Sequence, residues 1–204
     1  MKIGNLLTII RYNFFLSYKR TLFPAAVLLL VIPLIYGTSN LDSMKSADCL
    51  ERMVALIGLP MFVSLLKPEQ SGSMGAVIAL RSFPYRIIVF VRLGISLFCT
   101  LVLILLFERY MRICGCAFPA VGYAFRTLVV SLMLGFTGLL ASAASGNTAL
   151  GFMVSFCGCF ALQTEMFGRL LRAVSYGVGA GQILFLAAST LGIIVCVKLS
   201  MKDF

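Results

Sequence analysis

The chain has 204 residues, 61% of them hydrophobic and 12% charged, with no histidine and a formal charge of +10. That composition excludes a disordered chain, a collagen-like repeat and a charge-rich coiled coil, and it is that of an integral membrane protein. The missing imidazole removes His-dependent catalysis, and basic residues that fall singly or in pairs between long apolar runs suit membrane flanks, not a nucleic-acid groove.

Residues 1–20 read as an interfacial amphipathic helix. Ile3, Leu6, Leu7, Ile10 and Phe14 share one face, and Asn5, Thr8, Tyr12 and Lys19 share the other. Ile9 and Leu16 fall on the polar side, so a frayed cytoplasmic tail is the alternative. Lys2, Arg11, Lys19 and Arg20 are spread through a segment with no compact apolar core and no small-residue cleavage site, so it is expected to be retained, not cleaved as a signal peptide.

Crossing a hydrocarbon core of roughly 30 Å takes about 20 mainly apolar residues. Six runs approach that length: 21–37, 50–66, 87–107, 124–144, 148–164 and 179–197. The second contains Pro60, which a membrane helix tolerates as a kink. The fourth and fifth are separated only by Ser145-Gly146-Asn147, a turn-forming cluster that predicts a tight helical hairpin. The expected fold is therefore all-α, a single six-span membrane domain preceded by an interfacial helix.

The connection from Lys67 to Arg86 is neither a tight turn nor a span. Pro68 can open a helix there, and Glu69 complements its positive end. Met74, Val77, Ile78 and Arg81 recur at i, i+3, i+4 and i+7, and Pro84 stops it, so a short amphipathic helix is expected over 69–83. Its apolar stripe needs lipid or a partner to cover it; an ordinary solvated connection is the alternative.

Cytoplasmic loops are enriched in Lys and Arg. With both termini inside, the cytoplasmic side receives ten of the seventeen basic residues, among them Lys67, Arg81, Arg86 and Arg92. The outer side receives seven, including Arg52, Arg109, Arg112 and Arg126, diluted by Asp42, Asp48, Glu51, Glu108 and Glu165. The seven cysteines are odd in number and lie largely in apolar runs, where thiols behave as small hydrophobes. Cys114-Gly-Cys116 and Cys157-Gly-Cys159 lack the four ligands that a structural metal needs, so they read as packing or loop cysteines.

The order Glu69, Gly72-Ser73, a short helix, Ser82, Pro84, Arg86 and then Arg92 in the next span resembles the type-2 family of ATP-binding-cassette (ABC) exporter permeases. The basic lead helix, the six spans and the tail from Lys198 to Asp203 extend that resemblance over essentially the whole chain. It implies a multi-pass permease of the cell membrane with both termini cytoplasmic, exporting an amphipathic substrate such as a peptide, antibiotic or lipid. It implies as partners a separate nucleotide-binding ATPase subunit and a second permease subunit, identical or related. Glu69, Gly72, Ser73, Met74, Val77, Ile78, Arg81, Pro84 and Arg86 would couple to the ATPase through the 69–83 helix. Spans two and five would face the dimer axis, placing Met61, Phe62, Phe152, Phe156 and Phe160 on the translocation path. The chain itself has no Gly-x-x-x-x-Gly-Lys-Ser/Thr phosphate loop and no soluble stretch long enough for a nucleotide-binding domain. No cofactor is therefore expected in it; ATP and Mg²⁺ would be bound by the partner, and the chain would not be an enzyme.

Three further features have two readings each. Arg92 lies about one turn inside the third span and either snorkels to the cytoplasmic headgroups or pairs. Glu165 either pairs with Arg169 at i,i+4 or faces headgroups. Gly135, Gly138, Ala141 and Ser142 form a small-residue stripe that serves close helix packing or a substrate path. A different function with similar anatomy is the six-span substrate-binding subunit of a vitamin importer; it needs neither the lead helix nor the long 67–86 connection, and no polar cluster converges on one pocket. An intramembrane protease fails for want of His, and Asp42, Asp48 and Asp203 all fall outside the spans.

Overall fold

The computed structural model describes residues 19–37, 41–66, 85–116, 118 and 120–163, all of them helix or short connection with no strand among them. The elements are α1 (Lys19–Tyr36), α2 (Ser43–Asp48), an irregular segment over 49–66, α3 (Tyr85–Ile113), α4 (Ala120–Ser145) and α5 (Thr148–Gln163). The lead helix at 1–20, the 69–83 helix, the sixth run at 179–197 and the tail lie outside the described residues, apart from Lys19 and Arg20, which open α1.

Two helices, over Val89–Ile113 and Val121–Ser145, are long and apolar enough to cross a membrane. α1 and α5 are equally apolar but shorter, with apolar parts at Thr21–Tyr36 and Thr148–Phe160. α3 runs six residues past the expected end of its span at 107, because Glu108, Arg109 and Arg112 remain compatible with a helix that continues beyond the apolar core. It stops where Gly115 takes φ +84°, letting the Cys116 N–H reach back to the Met111 carbonyl at 3.2 Å. α1 ends in a similar way at Gly37, φ +62°, whose N–H donates to the Pro33 carbonyl. The short α2 was not anticipated from the sequence, where 38–49 reads only as a connection.

The expected hairpin between the fourth and fifth runs is present. Gly146 adopts φ +66°, and Asn147 caps α5 by accepting the Ala149 N–H at its Oδ1, 2.9 Å away. α4 and α5 then pack along their length.

The core is organised around the 49–66 segment. Leu50, Val54, Ala55, Ile57, Phe62 and Val63 are fully buried, and α1, α3, α4 and α5 all contact this segment. The outward faces are strongly apolar, with Phe23, Leu30 and Leu34 on α1, Phe98 and Ile113 on α3 and Met153 on α5 all more than 60% exposed. Such surfaces are costly in water and ordinary in lipid.

Candidate functional site

The second apolar run is where the chain departs most from regular helix. Instead of one helix kinked at Pro60, it forms a π turn at Cys49–Met53, a 3-10 turn at Val54–Ile57, a π turn at Leu59–Val63 and a 3-10 turn at Ser64–Leu66. Proline supplies no N–H and glycine weakly holds a helix, so Gly58 and Pro60 together loosen the ladder. Carbonyls released from the i to i+4 pattern need other donors when no water is near.

Hydroxyls supply them. Ser131 Oγ on α4 donates to the Ala55 carbonyl at 2.8 Å, and Ser96 Oγ on α3 donates to the Met61 carbonyl at 3.1 Å. Ser64 Oγ turns back to the Pro60 carbonyl at 2.5 Å. Ser96 and Ser131 are both buried, so each bond crosses between elements inside the apolar interior.

Small residues let α4 come close enough for this. A Cβ on Gly58 would collide with the Ser131 backbone, and one on Gly135 would lie 2.6 Å from the Phe62 ring. Phe62 in turn stands edge-on to Phe136, with ring centres 5.4 Å apart at 76°. One turn further along α4, Gly138 faces Ser155, Val63 and the Gly151 backbone, while Ser155 Oγ donates to the Leu134 carbonyl at 2.7 Å. The Gly135, Gly138 and Ser142 stripe therefore serves packing, of the central segment on one side and α5 on the other.

Near the end of the bundle formed by the start of the central segment and the start of α4, the charged residues are tied together. Arg126 Nε on α4 meets Glu51 Oε1 at 2.9 Å, and Arg52 Nε meets Asp48 Oδ1 at 3.5 Å. Glu108, near the end of α3, is buried, accepts the Ala124 N–H of α4 and has the Arg112 guanidinium close by. Among the described residues no group of His, Cys, Asp or Glu could hold a metal ion, and none of the six described cysteines is in a disulfide.

The sequence-derived site residues fall into three settings. Glu69, Gly72, Ser73, Met74, Val77, Ile78, Arg81 and Pro84 lie outside the described residues, and Arg86 lies in the first turn of α3. Met61 and Phe62 are buried in the centre of the chain's own packing. Phe152, Phe156 and Phe160 form an outward stripe on α5 at four-residue spacing, with the last two rings edge-to-face at 5.1 Å. Sequence reasoning missed the hydroxyl clamps from Ser96 and Ser131. A usable signal existed for one of them: Ser131, Gly135, Gly138 and Ser142 follow i, i+4, i+7 and i+11, one face of a helix.

No family model matches this chain, and no curated protein or solved structure matches it.

Proposed function

We propose that the chain is the permease subunit of an ATP-driven exporter of amphipathic molecules, working as a pair of permeases above two separate ATPase subunits. The observation that carries this reading is the order Glu69, Gly72-Ser73, Ser82, Pro84 and Arg86 in the connection between the irregular segment and α3. The surrounding geometry supports it. The connection leaves the central segment at Leu66 and enters α3 at Tyr85, and those two elements are joined by the Ser96 to Met61 hydrogen bond. A push on the connection therefore acts on both elements together. Stretches of π and 3-10 turn within an apolar run commonly mark hinges, and a two-position membrane element needs such a place to bend.

In this reading Met74, Val77 and Ile78 dock on the ATPase subunit, and ATP hydrolysis there shifts the permease between inward- and outward-facing arrangements. The chain is multi-pass in the cell membrane with both termini cytoplasmic. The path lies between two permeases, and the outward stripe of Phe152, Phe156 and Phe160 is the surface offered to it.

Co-expression with a candidate ATPase tests the reading. Co-purification and substrate-stimulated ATP hydrolysis are expected, with both lost in Val77→Asp while the permease remains inserted, and the isolated chain should bind no ATP. A saturable ATP site on the isolated chain, or unchanged stimulation in Val77→Asp, would refute it. Tight capture of a vitamin-sized ligand by the isolated chain would point instead to an importer's binding subunit.

A further inference from the structure

Glu108 stands in a row of buried side chains. Thr100, Ile104, Glu108 and Met111 follow i, i+4, i+8 and i+11 on α3, and Glu108 is only 3% exposed while the other three are fully enclosed. The basic residues of the same turn, Arg109 and Arg112, are both exposed. The fold thus keeps the carboxyl inside and its guanidinium neighbours outside, which is not the arrangement of a buried ion pair.

Two polar groups act on the carboxyl, the Ala124 N–H of α4 and the Arg112 guanidinium. Neither bonds to Oε1, which has no hydrogen-bond partner among the described residues. A carboxylate offers about four lone-pair sites, and an ionised one sealed from water needs donors to hold its charge. Glu51 shows the other solution at the same end of the bundle: partly exposed, it meets Arg126 at 2.9 Å. No water-sized space touches Glu108 Oε1, and among the described residues no group of His, Cys, Asp or Glu could hold a metal ion. A proton is the ligand that fits, because it binds on the oxygen itself and removes the charge that the surroundings leave unsupported.

We propose that Glu108 is a proton-binding site, a neutral carboxylic acid at the contact of α3 with α4 in the arrangement described, which gives up its proton when the two helices part and water reaches Oε1. The site goes beyond the exporter reading and does not depend on an ATPase partner. It makes any movement of α3 against α4 sensitive to proton concentration at the end of the bundle where α3 stops. The other charged or titratable groups at this contact are Arg109, Tyr110 and Arg112 on α3, Tyr123 and Arg126 on α4, and Glu51 beside Arg126. With no histidine in the chain, none of these in its ordinary state changes charge near neutral pH.

Infrared spectroscopy of the full chain in lipid at neutral pH tests the site. A neutral carboxylic acid has a C=O stretch that a carboxylate lacks, and the chain has only seven acidic residues that could contribute one. The wild type should show this band. Glu108→Gln and Glu108→Leu should both lose it, so whichever of them folds gives the comparison, and Arg112→Gln should keep it. A wild-type spectrum without the band, or with a band unchanged in the Glu108 variants, would overturn the proposal. Appearance of the band only in Arg112→Gln would do so as well, since Glu108 would then be an ionised partner of Arg112. Unfolding in detergent across neutral pH gives a second readout. Where the unfolded chain releases a proton that the folded chain keeps, the folding equilibrium constant of the wild type should fall, relative to that of Glu108→Leu, by up to about tenfold for each unit that pH rises. Identical pH dependence in the two proteins would likewise overturn the site. Neither measurement involves ATP or cargo, so its failure leaves the exporter reading as it stands, just as loss of ATPase coupling would leave the proton site.

Discussion

The central segment and α3 are built from similarly apolar sequence and take opposite solutions. α3 is an uninterrupted helix of 29 residues, and only 22% of its most apolar window is buried by the rest of the protein. Residues 49–66 run through four turns of alternating π and 3-10 type and are almost wholly enclosed. The difference follows from backbone bookkeeping. A regular helix satisfies its own N–H and C=O groups and can face lipid, whereas a segment with loosened carbonyls must sit where protein hydroxyls can reach them. Gly58 and Pro60 thus fix the segment's position as well as its shape. Only the interior, beside Ser131 and Ser96, offers the donors it needs.

The strongest way to break this contrast is to remove what fills the centre. Phe62→Ala should destabilise the protein by about 3–5 kcal/mol, since a fully buried ring would leave a cavity between Gly135 and Phe136. Phe98→Ala on the outward face of α3 should change stability by no more than about 0.5 kcal/mol. Denaturant titration of both variants in the same detergent measures the difference, and equal losses would mean that the outer face of α3 is packed as tightly as the core. A charge on α3 tests the same contrast from the other side. Leu106 is 61% exposed, and Leu106→Lys should disfavour insertion by about 2.5–3.5 kcal/mol if that face meets the bilayer centre. A glycosylation-reporter insertion assay reads this directly, and full insertion of the variant would place Leu106 at an interface or against polar protein.

Smaller effects separate the clamps from ordinary helix hydroxyls. Ser131→Ala and Ser96→Ala should each cost about 0.6–1.7 kcal/mol, the range for hydrogen bonds between membrane helices. Thr100→Ala should cost less, because Thr100 Oγ1 donates within its own helix to the Ser96 carbonyl, which the ladder can already satisfy. Thermal unfolding midpoints for the three variants provide the ranking.

What the sequence revealed follows from the same physics. Long apolar runs predict helices whatever surrounds them, so α1, α3, α4 and α5 fall close to the expected 21–37, 87–107, 124–144 and 148–164. The hairpin was legible because Gly146 and Asn147 carry local turn chemistry. The small-residue stripe on α4 was legible as a packing face, though not as one that serves two neighbours at once. The central segment was not legible as an irregular element. Pro60 announces a disturbance, but whether it yields a kink or a train of π and 3-10 turns depends on donors 35 and 76 residues away in sequence. For the same reason Met61 and Phe62 look, from sequence alone, like any apolar residues of a span; their burial is set by Gly135 and Phe136 on another helix.

The smallest effect concerns the charged rim that holds the start of the central segment. Arg126 and Glu51 meet at 2.9 Å, with side chains 30% and 27% exposed, so water still reaches the pair. Arg126 lies in the second turn of α4, and Glu51 reaches it from the first π turn of the central segment. An ion pair in this setting contributes about 0.2–1 kcal/mol. A double-mutant cycle with Arg126→Gln and Glu51→Gln should give a coupling in that range, weakening as salt is raised because the pair is not sealed from solvent. Since Glu51 sits in the first π turn, loss of the pair should loosen that turn before the Ser131 clamp, and amide exchange should rise at 49–53 while 55–63 stays protected. Exchange rising equally along 49–63 would show that the segment opens as one unit, with the rim and the hydroxyl clamps acting together.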